Sequence, residues 1–312
     1  MRLIQKYYKT TLFTCLLFLS SSTQANPVAC FNTNMGQFCI ELFDTHTPIT
    51  TANFISYIDS GAYTNGIFHR SVPDFVIQGG DFKIADGSNG KTLAPVNTFA
   101  PITNEFKISN IRGTVAMAKL SGNPNSATSQ WFINLADKNS QNLDFQNGGF
   151  TVFGRVIFDG MNVIDAIGDL PVTNLSNRLG SSFTETPTIG FDGSQILVSN
   201  FVQINQVEVT DTTGVFSEGT LSFAVDIGTD KALEVNLRLI KDSPNLVFEL
   251  DPASIASLQT KPINIATFSS QSGQLHIPSV MINASTMVNN VWMQLTNPLS
   301  FQFTLLSFDQ VN

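Results

Sequence analysis

The chain has 312 residues, of which 42% are hydrophobic and 13% are charged, and its formal net charge is -8 at pH 7. This length and hydrophobicity can supply the cores of one or two domains. The acidic balance argues against nucleic acid as a partner, because there is no excess of lysine and arginine to displace counterions from phosphates. It indicates ordinary solubility rather than a basic partner.

The N-terminus has the pattern of a cleaved export signal. Basic residues precede an apolar run over 11–19, and the small-x-small sequence TQA follows at 23–25. The run is shorter than the roughly 20 apolar residues that span a bilayer. We therefore expect residues 1–25 to be removed and no integral membrane segment to remain. A lipid anchor at Cys15 is the less favoured alternative, because the small residues of a lipoprotein signal do not precede it.

Two cysteines, Cys30 and Cys39, flank the turn at 34–36. If Thr33 pairs with Gly36, the cysteines lie opposite each other at a non-hydrogen-bonded position, where Cα atoms approach to about 4.5 Å. This separation suits a disulfide, and an oxidising compartment would preserve it. A three-residue turn would instead shift the register and leave two buried free thiols.

The first two thirds of the chain alternate strand patterns with two helix patterns. In chain order these are strands in 30–42, a helix over 47–61, strands in 68–79, 113–118, 130–135 and 150–156, a helix over 159–168 and a strand over 198–209. A segment rich in Gly, Asn, Ser and Pro over 85–103 is predicted to be loop. The order predicts a mainly β barrel capped by two helices, over 26–210.

The remainder, 211–312, alternates apolar and polar residues without a helix pattern. A three-strand pattern that begins at Gly219 recurs from Gly273, about 54 positions later. Such a recurrence also arises by chance in alternating β sequence, so the presence of two repeats stays open. We predict a separate small all-β domain, built as a sandwich, with an unknown partner.

Signatures of common enzyme classes are missing. The chain has no Gly-x-Ser-x-Gly elbow, phosphate loop, dinucleotide fingerprint or His-Glu-x-x-His motif. A zinc site built from His46, His69 and His276 would need three separate elements to converge. We therefore expect no metal and no cofactor. His69, on an apolar strand, is expected to be a hydrogen-bonded core histidine.

Three ordered blocks carry the most specific signal. They are FHRSVPDFVIQGGD at 68–81, MAKLSGNPNSATSQWFINLAD at 117–137 and LDFQNGGFTVFGRVIFDGMNVIDAI at 143–167. Together they resemble the cyclophilins, the peptidyl-prolyl cis-trans isomerases, over about 26–210. The resemblance implies a closed eight-stranded antiparallel barrel and an enzyme that acts on proline-containing polypeptides without a cofactor. With the export signal, it implies a periplasmic folding catalyst; secretion beyond the periplasm is the alternative.

The resemblance also assigns roles to single residues. Arg70 takes the position of the catalytic arginine, Gln78 that of the glutamine that orients it, and Phe75 a further catalytic position in the proline pocket. The implied substrate-binding residues are Val76, Met117, Ala118, Lys119, Gln130, Phe132, Leu143 and Phe150. Trp131, the neighbour of Phe132 on its strand, is expected to face the core.

The chemistry explains why these residue types suffice. Rotation about an X-Pro bond breaks no bond, and its barrier of about 18–20 kcal/mol is lost amide resonance. A catalyst needs an apolar pocket for the proline ring and a donor near the proline nitrogen. A guanidinium suits that role because it is planar, always charged and rich in N–H donors.

Two positions depart from the family pattern. Asn142 stands where many eukaryotic members have Trp, and Phe150 stands where the family has a pocket-edge His. The missing indole removes an apolar wall and a donor, so weak cyclosporin binding is expected.

Two other functions compete with the enzyme. One is a proline-peptide-binding or chaperone module whose C-terminal β domain sets the partner, and the other is a structural surface protein with an inactive barrel. The intact residues Arg70, Phe75, Gln78 and Phe132 favour the enzyme.

Overall fold

The computed structural model describes residues 27–87, 90–228, 232–258 and 265–310. The predicted signal segment, 1–25, lies outside the described residues. The fold is mainly β with few helices, as predicted. No helix among the described residues is long and apolar enough to cross a membrane.

A first sheet is built from the part of the chain before residue 211. Its strands and the helices between them are β1 Val28–Thr33, β2 Gly36–Leu42, α1 Pro48–Asp59, β3 Gly66–Ile67, β4 Arg70–Val72, β5 Val76–Gly79, β6 Phe82–Gly87, β7 Gly90–Pro95, β8 Thr114–Met117, β9 Trp131–Asn134, α2 Ser140–Leu143, β10 Val152–Ile157, α3 Gly160–Gly168, α4 Ser176–Leu179 and β13 Gln203–Thr210. Between α3 and β13, the short strands β11 Val172–Thr173 and β12 Thr186–Pro187 form a separate two-stranded sheet.

The first sheet closes into a barrel because β3 and β4 are consecutive parts of one segment. The strand order is β4-β5-β9-β8-β10-β2-β1-β13-β3-β6-β7. β3 pairs with β13, while β4 pairs with β5. Between them, Phe68 N–H donates to Val202 O and His69 N–H donates to Gln78 O, both at 3.1 Å. The segment therefore joins both ends of the sheet.

Aromatic side chains dominate the core of this barrel. Trp131 is fully buried, and its ring lies 5.2 Å from that of Phe31 and 5.6 Å from that of Phe68. Phe54 of α1 stands edge-on to Trp131 at 5.8 Å. The helix thus adds apolar side chains to the same core, and the core position predicted for Trp131 is confirmed.

The segment 85–103, predicted to be loop, is partly a hairpin. β6 and β7 pair from Phe82 with Pro95 to Gly87 with Gly90. The prediction failed because the Gly- and Asn-rich composition of a loop is also that of a hairpin turn. The strands carry mostly half-buried or exposed side chains, so they lack a strong apolar pattern.

A second sheet contains the rest of the described chain. Its strands are β14 Gly214–Ser217, β15 Thr220–Asp226, β16 Ala232–Lys241, β17 Val247–Leu250, β18 Ala256–Ser257, β19 Ala266–Ser269, β20 Gln274–Asn283, β21 Thr286–Asn297 and β22 Gln302–Gln310. β13 ends at Thr210 and β14 begins at Gly214; the predicted domain boundary at 210/211 stays a prediction.

The second sheet is a closed ring and not the predicted sandwich. Seven strands pair in the order β15-β19-β20-β21-β22-β17-β16, and β16 pairs with β15 again. The two three-strand groups of the suspected repeat are β15–β17 and β20–β22, joined through β17 and β22. Pairing along both sides removes the free edges that a sandwich would keep. We call this ring the second barrel.

The two barrels share an interface beside a disulfide. Cys30 lies opposite Cys39 in the β1–β2 register, and their Sγ atoms are bonded, with the Cα atoms 4.1 Å apart. Apolar residues of both barrels surround the bond: Val28, Ile157 and Phe158 from the first, and Val215, Met281 and Ala284 from the second.

A polar cluster lies in the same interface. Arg155 Nε donates to Glu41 Oε2 at 2.6 Å, and Arg155 Nη2 donates to Ser222 Oγ of the second barrel at 3.0 Å. His46 Nδ1 lies 3.4 Å from Glu234 Oε2. Burial raises the pKa of Glu234, although the charge of His46 opposes this shift.

Candidate active site

Three polar side chains form a continuous line on the outside of the first barrel. Arg70 on β4 and Gln78 on β5 are direct partners in the antiparallel register. Arg70 Nη1 donates to Gln78 Oε1 at 3.5 Å, and Gln78 Nε2 donates to Gln130 Oε1 at 2.7 Å. The carboxamide of Gln78 therefore has its orientation set by a neighbour on either side, and that of Gln130 by Gln78.

The alternation of β5 explains why a polar residue lies there. Side chains along a strand point to opposite faces in turn. Ile77 enters the barrel core, while Val76 and Gln78 lie on the other face. After β5, Gly80 has a φ of +84°, and a Cβ there would lie 2.3 Å from Ser129 O. Glycine therefore permits the chain to turn close to Ser129 and Gln130, just before β9.

An apolar cluster lies beside this polar line. Its buried members are Val76, Ala116, Phe132, Leu143 and Val152, and its partly buried members are Phe43, Phe75, Ile108, Ala118 and Phe150. Phe132 and Phe150 meet edge to face with ring centroids 5.7 Å apart. Phe132 also pairs with Gln78 across β9 and β5, so the apolar cluster and the polar line are adjacent.

Hydrogen bonds to backbone carbonyl groups hold the rim of the apolar cluster. Asn139 Nδ2 donates to Phe75 O at 2.7 Å, and Asn110 Nδ2 donates to Phe150 O at 3.0 Å. Phe150 N–H in turn donates to Leu143 O at 2.9 Å. Rings from distant parts of the chain are thus fixed around one apolar surface.

Lys119 packs over the same rim. Its Nζ donates to Asn147 O at 2.9 Å and Gly149 O at 2.6 Å, and it lies 4.8 Å from the centre of the Phe150 ring. Burial lowers the pKa of Lys119. Beside it, a cavity of about 320 Å³ opens, lined by residues that include Gln78, Ala118, Lys119, Ser126 and Gln130. The cavity adjoins the apolar cluster through Ala118.

Most of the residues singled out in the sequence meet here, but Met117 does not. Its side chain is fully buried in the barrel core, whereas its neighbours Ala116 and Ala118 belong to the apolar cluster. Any contact of Met117 with a ligand would therefore involve its backbone. Ala116 and Val152 were not predicted, although the alternation of β8 would have selected Ala116 over Met117.

His69 is a core residue, as expected, but the expected hydrogen bond is missing at one atom. The imidazole is buried between Phe82 and Phe183, and its Nδ1 has no hydrogen-bond partner within the described part of the chain. Burial, with a smaller effect from the charge of Arg70, lowers the pKa of His69 to about 4. The ring is therefore neutral near pH 7.

The described residues contain no group of three or more His, Cys, Asp and Glu side chains that could hold a metal ion. The arrangement instead offers one guanidinium, two oriented carboxamides and an apolar surface. These groups can bind a peptide and stabilise charge, and none of them is an activated nucleophile.

Residues 28–188 match the family described as cyclophilin type peptidyl-prolyl cis-trans isomerase/CLD. The chain belongs to the cyclophilin family. A peptidyl-prolyl cis-trans isomerase of Acinetobacter baylyi is 45% identical over 159 residues, covering 50% of this chain and 80% of the relative. Peptidyl-prolyl cis-trans isomerase B of Escherichia coli is 42% identical over 142 residues, covering 44% and 81%.

A solved structure has the same family name. It is a Cryptosporidium parvum cyclophilin type peptidyl-prolyl cis-trans isomerase in the presence of the dipeptide Ala-Pro. It is 24% identical and covers 59% of this chain and 99% of its own, with a TM-score of 0.42.

This cyclophilin is thus an isomerase enzyme, and the predicted enzyme class is confirmed. Its family acts on peptidyl-prolyl bonds, which agrees with the predicted proline-containing substrates. The matched residues end at 188, before β13 and before the whole of the second barrel.

Proposed function

We propose that this cyclophilin catalyses cis-trans isomerisation of X-Pro bonds in exported proteins and that Arg70 stabilises the twisted amide. The observation that carries the proposal is the line Arg70–Gln78–Gln130 beside the apolar cluster around Phe132. A cation in a fixed orientation next to an apolar surface is what this reaction needs. We also propose the eight-stranded count for the first barrel, with 66–72 taken as one strand.

The proline ring would rest on Phe132 and Leu143, which are each 4% exposed. As the C–N bond twists, the lone pair of the proline nitrogen is no longer shared with the carbonyl group. A guanidinium N–H can donate to this lone pair only in the twisted state, so it lowers the barrier without tightening ground-state binding. Each ~1.4 kcal/mol removed from the barrier accelerates rotation tenfold.

The two carboxamides have a different role in this proposal. Gln78 Oε1 accepts from Arg70, which keeps the guanidinium plane against β5, and Gln130 accepts from Gln78. Backbone groups of the substrate on either side of the proline would bind along this line and into the cavity beside Lys119. Such positioning keeps the rotating C–N bond of the substrate aligned with the donor.

The proposal includes export and a folding role. The basic, apolar and small-x-small pattern of 1–25 supports passage across a membrane. Uncatalysed proline isomerisation takes tens of seconds, long enough to delay folding of newly exported chains. We propose the periplasm as the compartment, with secretion beyond it as the alternative.

The decisive experiment compares wild type with Arg70→Ala in a proline-tetrapeptide assay. We expect kcat/KM to fall about a hundredfold, equivalent to about 2.7 kcal/mol of transition-state stabilisation. Arg112→Ala is the matched control, because Arg112 is also a partly exposed partner of an acidic residue, Asp165. A full rate in Arg70→Ala would refute the proposal.

A second candidate function, client binding by the second barrel, is favoured by a separate observation. One mouth of this barrel is a cavity of about 310 Å³ lined only by apolar side chains, among them Phe216, Phe248, Ile282 and Phe308. A concave apolar surface of this kind suits apolar segments of unfolded chains. Ile282→Asp in the full chain should abolish suppression of client aggregation while leaving tetrapeptide isomerisation unchanged. If the variant keeps both the suppression of aggregation and the isomerisation, this function is excluded.

A further inference from the structure

Glu185 contacts the guanidinium of Arg70, although 115 residues separate the two in the chain. Arg70 Nε donates to Glu185 Oε2 at 2.9 Å, on the side of the guanidinium opposite the link to Gln78 through Nη1. We infer that Glu185 is a positioning residue for the isomerase reaction: it acts through Arg70 by fixing the plane of the guanidinium. The inference rests on the role proposed for Arg70.

The backbone holds Glu185 in place independently of its side chain. Ser71 N–H, next to Arg70 on β4, donates to Glu185 O at 2.7 Å. On one side of Glu185, Phe183 is buried and its ring lies 4.6 Å from that of Phe82. On the other side, Thr186 is fully buried and pairs with Thr173. The carboxylate is therefore presented to Arg70 by a fixed segment.

Two acceptors on different nitrogens determine the orientation of a planar group. Glu185 binds Nε and Gln78 binds Nη1, so rotation about the end of the arginine side chain is restricted. Nη2 makes no hydrogen bond to the described residues and is left to donate to a ligand. A preoriented donor loses less side-chain entropy when the transition state forms.

Stability does not account for this pair. The side chains of Arg70 and Glu185 are 31% and 41% exposed, and ion pairs with such access to water contribute little to folding. A carboxylate next to the cation that binds the twisted amide also reduces its net charge. The position of Glu185 is explained by orientation of the Arg70 guanidinium, because a hydrogen bond can orient a side chain without being buried.

The test measures kcat and KM of Glu185→Ala and Glu185→Gln on a proline tetrapeptide. We expect kcat/KM to fall about tenfold in the alanine variant and about threefold in the glutamine variant, which keeps an oxygen acceptor for Nε. The loss should appear in kcat, because the oriented donor acts in the transition state. Asp165→Asn is the control: Asp165 forms a comparable pair with Arg112, with both side chains 41% exposed, and should keep the wild-type rate.

A double-mutant cycle separates positioning from a general structural role. If Glu185 acts through Arg70, Arg70→Ala combined with Glu185→Ala should be no slower than Arg70→Ala alone. Multiplication of the two losses would overturn the inference. The Nε–H resonance of Arg70 in NMR spectra provides a readout besides activity, and it should move in Glu185→Gln and stay in Asp165→Asn.

The outcomes distinguish this inference from the proposed function. If Arg70→Ala retains the wild-type rate, the role of Arg70 fails and the role of Glu185 fails with it. If Arg70→Ala is slow and both Glu185 variants are as fast as wild type, only the inference is overturned. Should Glu185→Ala fold poorly, the near-isosteric Glu185→Gln decides by the same two readouts, kcat and the Arg70 resonance.

Discussion

The two halves of the described chain both close a sheet into a barrel, yet they present opposite surfaces. The first barrel carries a polar line, Glu185–Arg70–Gln78–Gln130, in which every member binds its neighbour. The second barrel has two mouths, with cavities of about 310 and 300 Å³, lined only by apolar side chains. The architecture is alike, and the chemistry at the surface differs.

The comparison shows what turns a barrel surface into a catalytic one. An apolar surface is present in both halves, so contact with a proline ring alone cannot distinguish them. Among the described residues, the first barrel places beside its apolar cluster a cation, Arg70, that two other side chains hold, Gln78 and Glu185. Function follows from these few groups and not from the barrel itself.

The largest effect is expected from removing one buried phenylalanine ring from either barrel. Phe132 of the apolar cluster and Phe248 of the second barrel are 4% and 6% exposed. Truncation of either to alanine should lower the free energy of unfolding by about 3 kcal/mol. Only Phe132→Ala should also lower kcat/KM, by about a hundredfold. Urea unfolding and the tetrapeptide assay measure the two effects; an equal loss of activity in Phe248→Ala would remove the distinction.

Protonation of His69 in the first barrel should make the stability of the chain depend on pH. The pKa of His69 is about 4 in the folded chain and 6.5 in the unfolded one. Below about pH 6.5 the His69 imidazole binds a proton in the unfolded state but not in the folded state. Stability therefore falls as the pH drops toward 4. The difference in pKa corresponds to about 3 kcal/mol.

The variant His69→Phe isolates this contribution. It keeps an aromatic ring between Phe82 and Phe183 and cannot titrate. Urea unfolding at pH 7 and at pH 4 should show a smaller loss of stability for the variant than for wild type. Parallel pH profiles for the two proteins would show that His69 is protonated equally in both states.

The interface between the barrels should depend on Arg155. Its partner Glu41 is only 4% exposed, and the charge of Glu41 raises the pKa of Arg155. Arg155→Ala would leave a buried carboxylate without its cation, at an expected loss of about 2 kcal/mol in unfolding free energy. Arg238→Ala, which removes a more exposed partner of Asp251, should change it by less than about 1 kcal/mol. A similar small change in both would mean that the buried carboxylate of Glu41 does not depend on Arg155.

The smallest effect concerns inhibitor binding at the rim of the first barrel. Asn142 lies on α2 next to Leu143 of the apolar cluster and is exposed. Asn142→Trp adds an apolar wall and a donor, so cyclosporin should bind about tenfold more tightly, or by about 1.4 kcal/mol. Gln141→Trp on the same short helix is the control. Equal gains in both variants in a calorimetric titration would indicate unspecific contact.

The sequence predicts much of the first barrel because its signals are local. The register that places Cys30 opposite Cys39 follows from one turn, and the motif blocks bring Arg70, Gln78 and Phe132 together. Met117 is a predicted substrate-binding residue by resemblance alone, and the alternation of side chains along β8 puts its side chain in the core and leaves its backbone for such a contact.

What could not be predicted depends on long-range pairing. Glu185 lies in a short irregular segment with no motif, and only the folded chain brings it to Arg70. Six of the seven strands of the second barrel were predicted and β19 was not, and its closure depends on the pairing of β15 with β16 and of β17 with β22. Alternating patterns specify which face of a strand is buried and not which strand it meets.

The central claim is that a planar, oriented guanidinium stabilises the twisted amide. Arg70→Lys keeps the positive charge and removes the planar fork that binds Glu185 and Gln78. In a proline-tetrapeptide assay, the account predicts that Arg70→Lys loses about a hundredfold in kcat/KM and unfolds at the same Tm as wild type. Isomerisation by Arg70→Lys at the wild-type rate would contradict it.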